Sequence, residues 1–246
     1  MEFALRAVSF RYPAQEAWAL AGIDLDIASG QITWLTGALG SGSSTLLSVL
    51  AGLSPRLTGG VCEGSVNADG MAVASRTPLE LGIAYLGASP ALQLSGIAAT
   101  VRDEIAVAPM NLGCSRKQII TLTDTAIERM QLQPLVDRDP GTLSGGETQR
   151  VLVASLLAAT PRAWILDEPF SALDHAGAAQ VAALLRSEAS RGATVIVACD
   201  DADAMLPIAD RVIVLQAGRI VLDGAPGNVL ADQSILKFGA GTTDAA

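Results

Sequence analysis

One stretch, residues 31–53, constrains the fold more than any other. Residues 31–36 (QITWLT) have the apolar pattern of a buried strand. The glycine-rich stretch GALGSGSST, residues 37–45, follows directly, and residues 45–53 then have the apolar pattern of a helix. A strand that turns through glycines into a helix directs backbone N–H groups and the positive end of the helix dipole towards one point. We therefore expect this loop to bind phosphate.

Strands and helices alternate along the rest of the chain. This order predicts an α/β fold, with a mainly parallel sheet flanked by helices and an antiparallel β part near the start. Residues 89–160 carry mainly helical patterns and are interpreted as an inserted helical subdomain, and residues 239–246 as a polar tail. The predicted strands are 3–10, 23–27, 31–36, 82–86, 163–166, 194–198, 211–215 and 219–222, and the predicted helices are 45–53, 99–106, 116–130, 147–159 and 176–190.

The composition excludes several classes of protein. A chain of 246 residues fits a single domain, and a formal net charge of −9 without a local basic patch disfavours nucleic acid as a partner. The cysteines Cys62, Cys114 and Cys199 are far apart, which fits reduced thiols rather than a zinc site. His175 is the only histidine, so a mechanism that needs two is excluded. No apolar run reaches the roughly 18 residues that span a bilayer.

A second candidate phosphate site is LSGGETQR, residues 143–150. Ser144, Gly145 and Gly146 open an apolar helix, and Ser144 could serve only as its N-cap. Alternatively, a hydroxyl, two unobstructed N–H groups and a helix N-terminus together could hold the terminal phosphate of a nucleotide. Because eight residues are specified together, the pattern favours the second interpretation, with Glu147 in the same segment.

Two carboxylates end the apolar strand of WILDEP, residues 164–169. Asp167 in this position could hold Mg²⁺, directly or through water. Glu168 could orient and deprotonate an attacking water, as a catalytic base. A solvated acidic turn at a strand end is the alternative. The segment SALD, residues 171–174, follows and ends at Asp174.

These residues resemble an ATP-binding cassette (ABC) ATPase, a P-loop NTPase, over nearly the whole chain. GALGSGSST takes the Walker A position, WILDEP the Walker B position, LSGGETQR the family signature and SALD the D-loop. The resemblance implies ATP and Mg²⁺ as cofactors, with Mg²⁺ held by Ser44 and Asp167. It implies that Tyr12 stacks on adenine, although Tyr12 could also be an ordinary packing aromatic. The implied nucleotide-binding residues are Tyr12, Gly37, Gly40, Gly42, Ser43, Ser44 and Thr45.

Residues 90–113 resemble one particular group of ABC ATPases. They contain P-x-x-Q-L, a TVRDEIA helix and N-L-G, as in the ATPases of energy-coupling-factor (ECF) importers of vitamins, cobalt and nickel. The resemblance implies a subunit on the cytoplasmic face of the cell membrane that acts with a transmembrane transporter subunit. It also implies head-to-tail pairs, in which each ATP lies between the Walker motifs of one subunit and the signature of the other.

The sequence departs from the family pattern at three positions of its own nucleotide site. Ser43 replaces the Walker A lysine, and Asp200 falls on the position of the switch histidine. Ala88 takes the place of the Q-loop glutamine, unless a register shift recruits Gln93 instead. All three changes weaken the hold on a triphosphate, so we expect this site to be degenerate.

Three functions fit these features. The first is a non-equivalent ATPase subunit of an ECF-type importer, which pairs with a complete second ABC subunit and completes that partner's ATP site through its intact signature. The second is an active homodimer that uses Ser43 unconventionally. The third is a non-catalytic regulatory protein on the ABC scaffold. In the first case, the isolated chain hydrolyses ATP very slowly.

Overall fold

The computed structural model describes residues 1–230, so the predicted tail, residues 239–246, lies outside the described residues. The strands are β1 Phe3–Arg11, β2 Leu20–Ile27, β3 Ile32–Thr36, β4 Val61–Ala68, β5 Met71–Ala72, β6 Ile83–Leu86, β7 Ala163–Asp167, β8 Thr194–Ala198, β9 Arg211–Gln216 and β10 Arg219–Gly224. The helices are α1 Ser43–Leu50, α2 Pro78–Leu81, α3 Val101–Asn111, α4 Arg116–Arg129, α5 Gly145–Ala158, α6 His175–Ser190, α7 Ala202–Met205 and α8 Pro226–Leu230.

The larger sheet has six strands in the order β10-β9-β3-β8-β7-β6. All neighbouring strands are parallel except β10, which runs antiparallel to β9. The phosphate loop leaves the carboxyl end of β3, and Asp167 and Asp200 come at or just after the carboxyl ends of β7 and β8. Because parallel strands end at the same edge of a sheet, this topology brings the three segments together.

The smaller sheet is antiparallel, with four strands in the order β2-β1-β4-β5. Its apolar face and α1 share one buried cluster with alternate residues of the large sheet, such as Leu35, Ile165 and Ile196. The residues between these point to the other face, where Trp34 and Trp164 pack with α3, α5 and α6. The large sheet is therefore buried on both faces, as the α/β pattern predicts.

Between β6 and β7, the only helices of more than four residues are α3, α4 and α5, and this part of the chain contains no strand. The predicted helix 99–106 is too short, because α3 continues to Asn111 although Pro109 lies inside it. The predicted helix 45–53 begins too late and ends too late. The chain leaves α1 at Leu50, and Gly52 takes a φ of 71° that a side chain would strain. Within residues 1–230, no helix has the length and apolar character to cross a membrane.

Candidate functional site

The phosphate loop has a backbone that only glycine accommodates at its key positions. Gly37, Gly40 and Gly42 have φ values of 154°, 79° and 104°. A Cβ on Gly37 would lie 2.2 Å from the carbonyl oxygen of Leu215, so the loop passes directly against β9. These glycines fix the turn that feeds α1.

The loop presents unpaired amides. Among the described residues, the N–H groups of Gly40, Gly42, Ser43, Ser44 and Thr45 have no hydrogen-bond partner, whereas Ser41 N–H donates to the carbonyl of Ala38 at 2.9 Å. The first amides of any helix lack intrahelical acceptors, and here they follow a glycine turn. The result is a concave set of donors that suits a phosphate group.

Ser43 stands where the Walker A pattern has a lysine. Its hydroxyl points at a neighbour within the loop. Its Oγ lies 3.0 Å from the Oγ of Ser41, a buried side chain. The two hydroxyls satisfy each other, and neither carries a charge. The loop therefore offers a phosphate its dipoles and amides but no cation.

Asp167 ends β7 inside the same cavity and is almost fully buried. Burial raises the pKa of its carboxyl, and a hydrogen bond from the Ser44 side chain opposes this effect. Mg²⁺ is usually held by one or two protein oxygens together with phosphate oxygens and water. The Ser44–Asp167 pair provides such oxygens, so the residues present fit the ion. Among residues 1–230, no cluster of three or more His, Cys, Asp or Glu side chains could form a metal site independent of a ligand.

Glu168 has an unusual backbone and a crowded carboxyl. Its φ is 51°, and its N–H donates to the carbonyl of Ala198 at 2.8 Å, which holds the residue against β8. Burial raises the pKa of Glu168, and the negative charges of Asp200 and Asp167 raise it further. A base with a raised pKa and a strained backbone is typical of functional sites.

The switch loop that carries Asp200 is tied to β3 by a residue to which the sequence assigned no role. The indole Nε1 of Trp34 donates to the carbonyl of Cys199 at 2.9 Å, and Cys199 N–H donates to the carbonyl of Leu35 at 3.3 Å. The Asp200 backbone N–H lies close enough to Glu168 to lower the pKa of its carboxyl, against the larger effects that raise it. In the sequence, only the tryptophan in QITWLT indicates this contact, because a buried indole N–H normally finds an acceptor.

Tyr12 reaches the site from the end of the small sheet. Its hydroxyl lies 3.0 Å from the Oγ1 of Thr45, and its ring packs edge-on against Phe10 with centroids 5.0 Å apart. The half-buried ring both lines the cavity and packs in the core. Both interpretations of Tyr12, as an adenine platform and as a packing aromatic, are compatible with this position.

Of the two candidate positions for the Q-loop glutamine, Ala88 and Gln93, only Ala88 is among the described residues that line the cavity. The Gln93 amide turns back on its own loop. It accepts from Gly87 N–H at 3.1 Å and donates to the carbonyl oxygens of Gly87 and Ser89 at 2.9 and 3.3 Å. In this structure Gln93 is therefore a brace for the loop and does not reach the cavity.

Most of the predicted nucleotide-site residues share one cavity of about 480 Å³. None of the described residues that line it is Lys, Arg or His, while three are acidic. The cavity is thus polar and negatively charged, apart from the amide dipoles of the loop. Its lining includes Tyr12, residues 37–45, Ala88, Asp167, Glu168, Cys199 and Asp200.

The signature residues form a separate surface at the start of α5. Ser144 caps the helix by accepting from Glu147 N–H at 3.3 Å, and the Glu147 carboxylate accepts from Ser144 N–H at 2.8 Å. This is a capping box, as in the simpler interpretation of Ser144. The Ser144 hydroxyl also lies close enough to the Glu147 carboxyl to lower its pKa, so its proton can go either to that carboxyl or to a bound anion.

Glu147, the acidic residue of the signature segment, is paired with a cation. Arg138 Nη1 lies 2.9 Å from the Glu147 carboxylate, and the pKa of Glu147 is lowered, first by the hydrogen bond from the Ser144 backbone. Ser144 and Gly145 are exposed. A Cβ on Gly146 would lie 2.8 Å from the carbonyl oxygen of Ala172, so the signature packs tightly against the segment SALD.

Asp174, at the end of SALD, caps α6 by accepting from Gly177 N–H at 2.8 Å. It lines a different, mainly apolar cavity beside α7. Neither Asp174 nor residues 144–147 are among the described residues that line the cavity of the phosphate loop.

Comparisons with known proteins show to which family the chain belongs. A family model described as "ABC transporter" matches residues 20–171, which is more than half of the chain. The chain belongs to the ABC transporter ATPase family. Members of this family bind ATP and couple its hydrolysis to transport, so the expectation of an ABC ATPase subunit and of its fold is confirmed.

Three relatives of this ABC protein illustrate the range of similarity. The nickel import ATP-binding protein NikO of Rhodobacter capsulatus is 36% identical over 96% of this chain and 93% of its own length. The energy-coupling factor transporter ATP-binding protein EcfA2 of Methanospirillum hungatei is 34% identical over 95% of this chain and 58% of its own length. The structure of cbiO1 from Clostridium perfringens, part of the ABC transporter complex cbiONQ, has a TM-score of 0.80 at 27% identity and covers 96% of this chain and 92% of its own.

Proposed function

We propose that this ABC subunit is the non-equivalent ATPase of an ECF-type importer of a micronutrient. It pairs with a second ABC subunit whose nucleotide site is complete, and both act with a transmembrane subunit at the cytoplasmic face of the cell membrane. The names of the relatives NikO and EcfA2 support an importer of this kind.

The observation that carries the proposal is the contrast between the two phosphate surfaces of the chain. The cavity behind Ser43 has no cation among its described lining and contains the Asp167, Glu168 and Asp200 carboxylates. The signature instead has its one acid paired with Arg138 and its serine and glycines exposed or unobstructed. Electrostatics therefore favours a triphosphate bound at the signature, in the partner's site, over one in the chain's own cavity.

Each site residue then has a role in one of two composite sites. In the chain's own weak site, Tyr12 faces the base, the amides of residues 40–45 hold phosphate, and Ser44 and Asp167 would hold Mg²⁺. Glu168 is the position of the base, with Ala88 and Asp200 as the altered switch positions.

In the partner's site, Ser144, Gly145, Gly146 and Glu147 close over ATP and Asp174 lies at the subunit boundary. Residues 89–160 form the helical subdomain that contacts the transmembrane subunit.

The test is the ATPase activity of the reconstituted transporter that contains Ser144→Arg in this chain. Ser144 is exposed, so the longer side chain fits the free subunit but obstructs the partner's triphosphate. We expect turnover to fall by at least about tenfold, as when a direct phosphate contact is removed.

A matched control separates this effect from the lost helix cap. Ser115 is also exposed and forms the same capping box with Gln118 at the start of α4. Ser115→Arg removes a cap of the same kind, about 1 kcal/mol of stability. If both variants turn over at the wild-type rate, or both fall equally, the proposed role of the signature is wrong. Rapid hydrolysis by the isolated chain would support the homodimer instead.

A further inference from the structure

The cavity of the phosphate loop combines groups that attract phosphate with groups that repel it. The unpaired amides at Gly40, Gly42 and residues 43–45 form one continuous set of donors. The carboxylates of Asp167, Glu168 and Asp200 line the same space, and no cation balances them among the described lining residues. Amide dipoles and one Mg²⁺ at Asp167 can compensate a limited number of phosphate charges. Each additional charge on the ligand meets uncompensated carboxylates.

Asp200 is held in this position by the fold. Its loop is fixed on one side by the Trp34 indole, which bonds to the carbonyl of Cys199 at 2.9 Å. On the other side, Glu168 N–H bonds to the carbonyl of Ala198 at 2.8 Å. Asp200 and Glu168 line the same cavity, and the charge of Asp200 raises the pKa of Glu168, so the two acids lie close to each other. The backbone at Asp200 is therefore anchored at the edge of the cavity, and its carboxylate stays among the lining groups.

We propose that the chain's own cavity selects nucleoside diphosphates over nucleoside triphosphates, and that Asp200 sets this preference. The inference rests on the proposed function, in which this cavity is the weaker of two composite sites. A diphosphate uses the amides of the loop and Mg²⁺ without placing a third phosphate near Glu168 and Asp200. The subunit would then keep ADP bound while the partner's site turns over ATP.

The experiment is a titration of the isolated full-length chain with Mg²⁺-ADP and with Mg²⁺-ATP by calorimetry. We expect ADP to bind at least about tenfold more tightly than ATP, as expected for one added ligand charge facing fixed carboxylates. Asp200→Asn removes the charge and keeps the shape of an exposed side chain, so it should bring the two dissociation constants within about threefold by tightening ATP alone.

Asp203→Asn is the matched control, because Asp203 is an exposed aspartate in the same region, on α7, and does not line this cavity. It should leave the tenfold preference unchanged. The inference is overturned if ATP binds as tightly as ADP, if neither nucleotide binds, or if Asp200→Asn changes both equally. These outcomes leave the proposed function standing as long as Ser144→Arg still lowers turnover of the complex by at least about tenfold, so the two failures are distinguishable.

Discussion

Ser43→Lys should restore the cation that the phosphate loop lacks. Ser43 is the first residue of α1 and lines the cavity, so a lysine there can extend along it towards a bound phosphate. A unit charge about 4 Å from a phosphate oxygen contributes about 4 kcal/mol at an effective dielectric constant of 20. The exchange gives up the hydrogen bond that the Ser43 hydroxyl could donate to the phosphate, worth about 1 kcal/mol.

The net gain of about 3 kcal/mol corresponds to a dissociation constant for Mg²⁺-ATP that is roughly a hundredfold lower. Calorimetric titration of the isolated chain measures this directly. Because the gain is electrostatic and the cavity is open to solvent, it should shrink when the ionic strength is raised from about 0.1 M to 1 M.

Ser43→Met separates charge from chain length. Methionine has a similar reach and no charge, so it should leave the affinity for ATP at the level of the unsubstituted chain or below it. A gain of less than about threefold for lysine would refute the reasoning. An equal gain for methionine would show that contact area, and not the missing cation, limits binding.

Three further predictions concern the free chain. Glu168→Gln should raise the midpoint of thermal unfolding by roughly 2 °C at pH 7, since solvent screening at this partly exposed carboxyl limits the gain to about 1 kcal/mol or less. Because the pKa of Glu168 is raised in the folded state, its ionisation costs stability as the pH rises past the ordinary value of 4.5, and the gain should vanish below that pH. Gly146→Ala should lower the free energy of unfolding in urea by about 1–3 kcal/mol, because its Cβ would lie 2.8 Å from the Ala172 carbonyl oxygen. Gly145→Ala is the control and should not lower it, because the nearest atom to its Cβ would be 3.7 Å away. Trp34→Phe should lower the same free energy by about 1–3 kcal/mol, because it leaves the buried carbonyl of Cys199 without its donor, and a loss below about 0.5 kcal/mol would contradict that role.

The sequence predicts the parts of this site that depend on local chemistry. The glycines of the loop predict a turn with positive φ. The mainly apolar segments of β3, β7 and β8, five residues each, predict buried strands. Because parallel strands end together, their carboxyl ends share an edge. The order β3-β8-β7, which the apolar patterns do not reveal, then makes the segments around Ser43, Asp167 and Asp200 neighbours.

The contacts that depend on side-chain orientation were not predictable in the same way. Trp34 and Cys199 are separated by 165 residues, and only the pairing of β3 with β8 brings the indole to that carbonyl. Gln93 has the right composition for a site residue, but its amide finds three backbone partners within its own loop. Local hydrogen bonds of this kind compete with a distant target, and a sequence pattern does not show which one wins.

The two proposed phosphate-binding surfaces of the chain have the same local structure and differ in charge. Each consists of glycines and a serine at the first turn of a helix, at α1 and at α5. At α5, Arg138 pairs with Glu147 at 2.9 Å, so the positive end of the helix is not opposed by a free acid. At α1, the Ser41–Ser43 pair adds no charge while Glu168 and Asp200 remain uncompensated nearby. Because the amides are placed by the fold and the charges by single side chains, exchanges such as Ser43→Lys can change affinity without changing architecture.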